Sequence, residues 1–216
     1  MGPTRRELLG GTAAAAGMGL MPGRPNRGEH ESGLVTGKPK ALAYAELPGF
    51  LSREQITWHH DSHYGGALKK FAQLDGDIMG DHKARIAKAN SVILHELYFD
   101  NMTSEDATPA SATSELISGR FGSMESWLED FRAAAMASRG WAMLAWHPLN
   151  GRIYNVSADG HADGPMCFGV PLVVLDMYEH SYYIDFQNKK ADYVDGFTKH
   201  LNWSEIDRRV KALEER

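Results

Sequence analysis

The chain has 216 residues, of which 43% are hydrophobic, ten are histidine and one is cysteine, and its formal net charge is −5. This is enough apolar material for a full core, while a lone Cys167 excludes an intrachain disulfide and a thiolate cluster for zinc. The acidic balance, about −8 once residues 1 to 28 are set aside, argues against nucleic acid as a partner.

The N-terminus starts with Thr4-Arg5-Arg6-Glu7-Leu8-Leu9 and leads into the weakly apolar stretch Gly10 to Met21. That stretch is too short to span a bilayer. Paired arginines ahead of a small-residue apolar run read as a twin-arginine export signal, with a flexible tail that happens to carry adjacent arginines as the alternative. Residues 1–40 are therefore expected to be export signal and disordered lead-in, the Pro- and Gly-rich Pro22 to Lys40 forming the lead-in. The mature protein is then periplasmic or extracellular, without stable membrane insertion.

From Ser52 to about Gln73 the spacing of Ile56, His59, His63 and Leu68 is helical, with Gly65-Gly66 weakening the middle. A second helix is expected from Asp81 through Phe99, with Ile86, Ala89, Ile93 and Leu97 on one face and His95 near its end. The two form an antiparallel hairpin, which defines an N-terminal helical domain over residues 41–106. Residues 107–216 follow as a second domain. Helices are expected at 112 to 119 and 124 to 137, then strands at 141 to 147, 152 to 157 and 171 to 176, with Asn150-Gly151 as a hairpin turn. The remainder, from about Ser181 to Glu215, reads as helical with Tyr193, Phe197 and Leu201 on one face. Cys167 beside Phe168 reads as a buried small hydrophobe. The fold class is α+β: a helical hairpin, then an α/β domain with a small three-stranded antiparallel sheet.

The apolar run Val170 to Leu175 ends in Asp176-Met177-Tyr178-Glu179-His180, so a buried strand delivers a carboxylate and an imidazole. If the strand gives way to helix, residues four apart share one side of the turn and can reach one ion. Taken alone, the pair is a strand end with a capping Asp and a surface His. Trp58-His59-His60-Asp61-Ser62-His63-Tyr64 and Leu94-His95-Glu96-Leu97-Tyr98 add imidazoles from helical patterns. Three imidazoles, one carboxylate and no sulfur suit a borderline first-row metal. A zinc hydrolase uses similar ligands, but the chain has no His-Glu-x-x-His helix and no evident free base.

With these segments the chain resembles the iron/manganese superoxide dismutase family, whose ligand order is a His on each of two long helices and then Asp-x-Trp-Glu-His-x-Tyr-Tyr. The likeness covers roughly residues 42 to 210, including Leu51 to His59, Phe121 to Trp127, Gly140-Trp141, His180 to Phe186 and Asn202-Trp203. It implies disproportionation of superoxide by one iron or manganese ion per subunit held by His59, His95, Asp176 and His180. It also implies a homodimer through Glu179, His63 and Tyr183, His63 of one subunit meeting Tyr183 of the other.

The resemblance further implies a side chain that hydrogen-bonds solvent on the metal and so tunes its potential. The position that often carries Gln in iron enzymes is Ser91, too short to reach; His161 in the loop before the last strand is the expected substitute, with an exposed loop His as the alternative. On this account iron is favoured over manganese. Tyr98 fits a pocket aromatic, and Trp141 and Tyr178 wall the metal, Tyr178 standing where the family has Trp. The family's gateway Tyr is replaced by Ala67, and its funnel Arg is missing near Phe186 to Lys190, where Lys189 or Lys190 is the candidate for a local positive field. These departures leave a second reading, a non-enzymatic or weakly active metal-binding descendant of the family.

Overall fold

The computed structural model describes residues 31–76, 79–163 and 169–214. The arginine pair, the apolar stretch after it and Cys167 lie outside the described residues.

Residues 31–40, expected as disordered lead-in, instead form a strap. Ser32 caps a single turn, α1 (Gly33–Thr36), by accepting from the Leu34 amide, and Gly37 closes it at φ 71°. The physical reason lies beneath it, where the buried Glu96 carboxylate takes the Gly33 amide as a donor at 2.8 Å. Lys40 adds an ion pair to Asp100 at 2.6 Å. Glycine is required at position 33, because a Cβ there would sit 2.8 Å from the Lys38 carbonyl and 2.9 Å from the Tyr64 hydroxyl.

The hairpin begins with α2 (Arg53–Thr57), where Ser52 accepts from the Gln55 amide. It continues through a π-helical segment, Trp58–Tyr64, into α3 (Gly65–Asp75). The expected continuous α-helix is thus widened where it carries His59, a distortion common at functional sites. Asp81 caps α4 (His82–Asp100), whose buried face includes Val92, Leu94, His95, Tyr98 and Phe99. The line drawn between domains at residues 106 and 107 falls in the loop that leads to α5 (Ser111–Phe121), inside one compact unit spanning residues 31–216. Gly122, at φ 89°, separates α5 from α6 (Met124–Ala137), which Ser123 caps.

Strands β1 (Trp141–His147), β2 (Arg152–Ala158) and β3 (Val170–Asp176) form an antiparallel sheet in the order β2-β1-β3. Gly151, at φ 66°, makes the turn between β1 and β2. Pro171 has no N–H to give, and it lies on an edge strand beside a register shift at Leu144/Ala145. The register places Trp141 opposite Asp176.

The region after residue 181 is helical, as expected, and is divided into short elements. A 3-10 turn (Glu179–Ser181) and α7 (Tyr183–Phe186) end at Gln187, whose φ is 49°; α8 (Lys190–Lys199) and α9 (Trp203–Glu214) follow. Leu201 leaves the helix to bridge Met102, and Asn202 then starts α9 by accepting from the Glu205 amide. Trp127, Phe131, Trp141, Val174, Tyr193 and Phe197 are fully enclosed in the core between helices and sheet. Among the described residues no helix is long and apolar enough to cross a membrane.

Candidate metal centre

Four elements converge on one point. His59 comes from the π-helical segment, His95 from α4, Asp176 from the last residue of β3 and His180 from the 3-10 turn. The helical turn expected to join Asp176 to His180 is not what brings them together: a strand end and a 3-10 turn do, because Asp176 Oδ1 accepts the Tyr178 amide at 2.9 Å and folds the chain back. Asp176 Oδ2 lies 3.1 Å from His59 Nε2, 3.4 Å from His180 Nε2 and 3.6 Å from His95 Nε2. One ligand atom from each of the four residues falls within 4.8 Å of the others. Donors about 2.1 Å from a common ion stand roughly 3–4 Å apart, so the spacing fits a single first-row metal.

Two further observations support that fit. His95 Nε2 and His180 Nε2 are buried without a hydrogen-bond partner, an arrangement costly for polar atoms unless something else meets them. His95 is also oriented for coordination, since its Nδ1–H donates to the Ser91 carbonyl at 2.7 Å and leaves the Nε2 lone pair facing inward.

The electrostatics favour the ligating forms of His59, His95 and Asp176. Burial pushes the His59 imidazole below its ordinary value, and burial reinforced by the charge of His59 takes His95 down to about 3. Burial alone would raise Asp176, but the close imidazoles of His180 and His59 outweigh it and hold the carboxyl below the usual range.

Around this centre the structure brings together several expected side chains. Trp141 is fully buried and donates from its indole Nε1 to His161 Nδ1 at 3.0 Å, while Asn90 Nδ2 donates to the His161 carbonyl at 2.8 Å. His161 is therefore held in the site, its ring 6.5 Å from His95 and 5.1 Å from Tyr178. Tyr98 is buried with its ring 5.1 Å from His59. Its hydroxyl lies 3.0 Å from that of Tyr193, which donates to the Asp176 carbonyl at 2.8 Å. The His63 ring lies flat on His180, centroids 3.8 Å apart, and burial followed by the charges of His180 and His59 lowers its pKa to about 4. Glu179, Tyr183 and His63 are exposed.

Other residues are committed elsewhere. The Tyr64 hydroxyl is bound to Glu96 and to the Lys40 amide, and Ala67 is buried at the gateway position. Lys190 Nζ donates to the Ser138 carbonyl at 2.7 Å, which ties it to the end of α6, whereas Lys189 is exposed.

Two residues escaped the sequence reading. Gln55, fully buried, donates from Nε2 to the His180 carbonyl at 2.6 Å and accepts the Ile184 amide at 3.1 Å. Its place four residues before His59, on the same helical side, was the available signal. Glu96, a carboxylate inside an apolar helical run, was the other.

The sequence comparisons agree with this geometry. Residues 109–209 match the model for the C-terminal domain of iron/manganese superoxide dismutases. Superoxide dismutase [Mn] 1 of Halobacterium salinarum is 31% identical over 191 residues, 82% of this chain and 96% of the relative. Superoxide dismutase [Fe] of Cupriavidus metallidurans is 35% identical over 191 residues, covering 81% and 95% respectively. Superoxide dismutase [Fe] of Aquifex pyrophilus is 33% identical over 180 residues, covering 74% and 84%. A likeness that runs through both ligand-bearing halves, joined to a converging three-imidazole and one-carboxylate centre, shows that the chain belongs to the iron/manganese superoxide dismutase family.

Proposed function

We propose that the protein disproportionates superoxide, converting two superoxide anions and two protons to dioxygen and hydrogen peroxide, with one metal ion held by His59, His95, Asp176 and His180. The observation that carries this reading is the pair of orphaned imidazole nitrogens, His95 Nε2 and His180 Nε2, gathered with His59 around Asp176 Oδ2. A scaffold freed from metal chemistry would have no use for three inward-facing imidazoles around a fully buried carboxylate.

Iron or manganese, cycling between its trivalent and divalent states, would supply the two one-electron transfers. The residues do the rest. His95 is oriented by Ser91, and His180 by Gln55 through its backbone. Trp141, Tyr98 and Phe99 pack against the imidazoles and limit solvent. The catalytic assignment extends to His161, Tyr98, His63 and Tyr183. Relatives named for iron and for manganese match at similar identity; iron is the reading adopted here, supported by His161 beside a short Ser91.

A homodimer through Glu179, His63 and Tyr183 is part of the proposal. Trp58, Tyr183 and Ile184 support it, being 57%, 51% and 40% exposed on neighbouring segments that Gln55 ties together. Export through the twin-arginine route to the periplasm or beyond is supported by Arg5-Arg6 and the apolar stretch after them.

The deciding experiment is elemental analysis of purified protein paired with a dismutation assay after reconstitution with iron and with manganese. Activity at about one ion per subunit is expected. Bound metal with no activity under either ion would leave the non-enzymatic reading. Sedimentation of Tyr183→Arg, expected to be monomeric where the unaltered protein is dimeric, tests the interface.

A further inference from the structure

The strap over residues 31–40 bonds to the residue that directly follows each of two ligands. The Gly33 amide donates to Glu96 Oε1 at 2.8 Å, and Glu96 follows His95. At the other end the Lys40 carbonyl lies 2.8 Å from His60 Nε2, and His60 follows His59. A carbonyl can only accept, so the imidazole donates here. Between these ends stands Tyr64, whose hydroxyl accepts the Lys40 amide at 2.8 Å and donates to Glu96 Oε1 at 2.9 Å. Its ring lies beside that of His95, with centroids 6.2 Å and planes 20° apart. The Lys40 ammonium adds Asp100 at 2.6 Å, one turn beyond Glu96 on α4.

Glu96, His60, Tyr64 and Asp100 all belong to the segments that carry His59 and His95, and none of them is a ligand. Those segments need a tie at this end. α3 stops at Asp75 and α4 starts at His82, so the covalent connection lies at the opposite end of the hairpin from both imidazoles. Non-covalent contact alone fixes their separation, and a working site needs its ligands held to within about 0.5 Å by the groups behind them.

We infer that the strap is a positioning element for the metal: seated, it holds the residues beside His59 and His95 and keeps the two imidazoles at the spacing a shared ion requires. This rests on the metal-binding reading above. The coupling is reciprocal, so whatever the seated strap adds to metal affinity, the metal adds to strap seating. A strap that merely covers protein surface has no such link. Gly33 alone among residues 31–40 is buried, so the strap lifts without opening the core.

The test is manganese(II) binding to metal-free protein, measured by competition with a chelator and joined to hydrogen exchange of the strap. Gly33→Val unseats the strap without touching a ligand or its neighbour, because the added Cβ would stand 2.8 Å from the Lys38 carbonyl, a backbone atom that cannot swing aside. This variant should bind manganese at least about fivefold more weakly, the lower end of ordinary coupling between linked sites. Tyr64→Phe, which keeps the ring beside His95 and removes the hydroxyl, should weaken binding in the same direction. Ile117→Ala truncates a buried side chain of α5 and lowers stability away from the strap. While that protein stays folded, its affinity should remain within about twofold of the unaltered value.

In the unaltered protein, exchange at the Gly33 and Lys40 amides should slow on manganese binding by the factor that Gly33→Val loses in affinity. Exchange indifferent to manganese overturns the proposal, and so does an affinity that falls no further in Gly33→Val than in Ile117→Ala. If Gly33→Val fails to fold, exchange in the unaltered protein decides alone. No manganese bound by the unaltered protein would overturn the metal-binding reading and this inference with it, whereas bound manganese beside an indifferent strap overturns this inference alone.

Discussion

The Tyr64 hydroxyl donates to Glu96 Oε1 at 2.9 Å, on the residue next in sequence to His95. The Gly33 amide donates to the same oxygen at 2.8 Å, and the Lys40 amide donates to the Tyr64 hydroxyl at 2.8 Å. The strap, the segment that carries His59 and the helix that carries His95 are thus joined through one buried carboxylate. Burial raises the Tyr64 phenol well above its ordinary value, so it stays a neutral donor here. Tyr64 follows His59 by five residues, yet its hydroxyl does not stand in for the family's gateway tyrosine.

Replacing Glu96 tests this junction. Glu96→Ala strands two buried donors, each costing about 1–3 kcal/mol, so a loss of roughly 3 kcal/mol in unfolding free energy is expected. Glu96→Gln, which keeps an acceptor oxygen, should lose less than half of that. Urea unfolding of the metal-free forms measures both, and an unshifted midpoint for the alanine variant would show that the carboxylate is not what anchors the strap.

His95→Ala removes an inward-facing nitrogen without touching the strap. The variant should fold but retain no metal after dialysis, and elemental analysis reads the result directly. Normal metal content in folded His95→Ala protein would remove His95 from the ligand set.

Protons compete with folding at the same imidazoles. His95 is held down to about 3 and His59 is also lowered, so in the unfolded chain, where imidazoles return to about 6.5, more protons bind than in the folded one. Stability from these groups is fully present above about pH 6.5 and is lost as pH falls toward 3. Asp176, also lowered, adds a loss of the same sign below the ordinary carboxylate range. Metal-free protein should therefore lose unfolding free energy steadily from neutral pH downward; a flat profile between pH 7 and about pH 4 would contradict the burial argument.

Ala67→Tyr restores a phenol at the gateway position. Ala67 is 6% exposed, so the ring must displace neighbours, at a cost of about 1–3 kcal/mol. If it is accommodated, turnover at high pH or at high superoxide should change. Unchanged kinetics in a folded variant would place the gateway role on another residue.

Local pattern made much of this protein legible. The helical spacing from Ser52 and from Asp81, the strand-like runs and the Asn150-Gly151 turn are short-range signals, and the elements they mark formed close to where expected. The ligand residues were legible too, because a histidine inside an apolar helical pattern and an aspartate closing a buried strand are conspicuous against their surroundings. The breaks within the helical region after residue 181 were not legible, since nothing local announces that Leu201 will pair with Met102 or that Gln187 will take a positive φ.

The sequence by itself determined the elements, the ligand chemistry and the family likeness, all of which depend on residue type and spacing along the chain. Tertiary structure alone decided which hydrogen-bonding groups meet across large separations. Glu96 found Gly33 sixty-three residues away, and Trp141 found His161 across a loop. Those partners were chosen by the need to satisfy donors and acceptors sealed in a common core, a requirement that exists only once the helices and the sheet have closed around them.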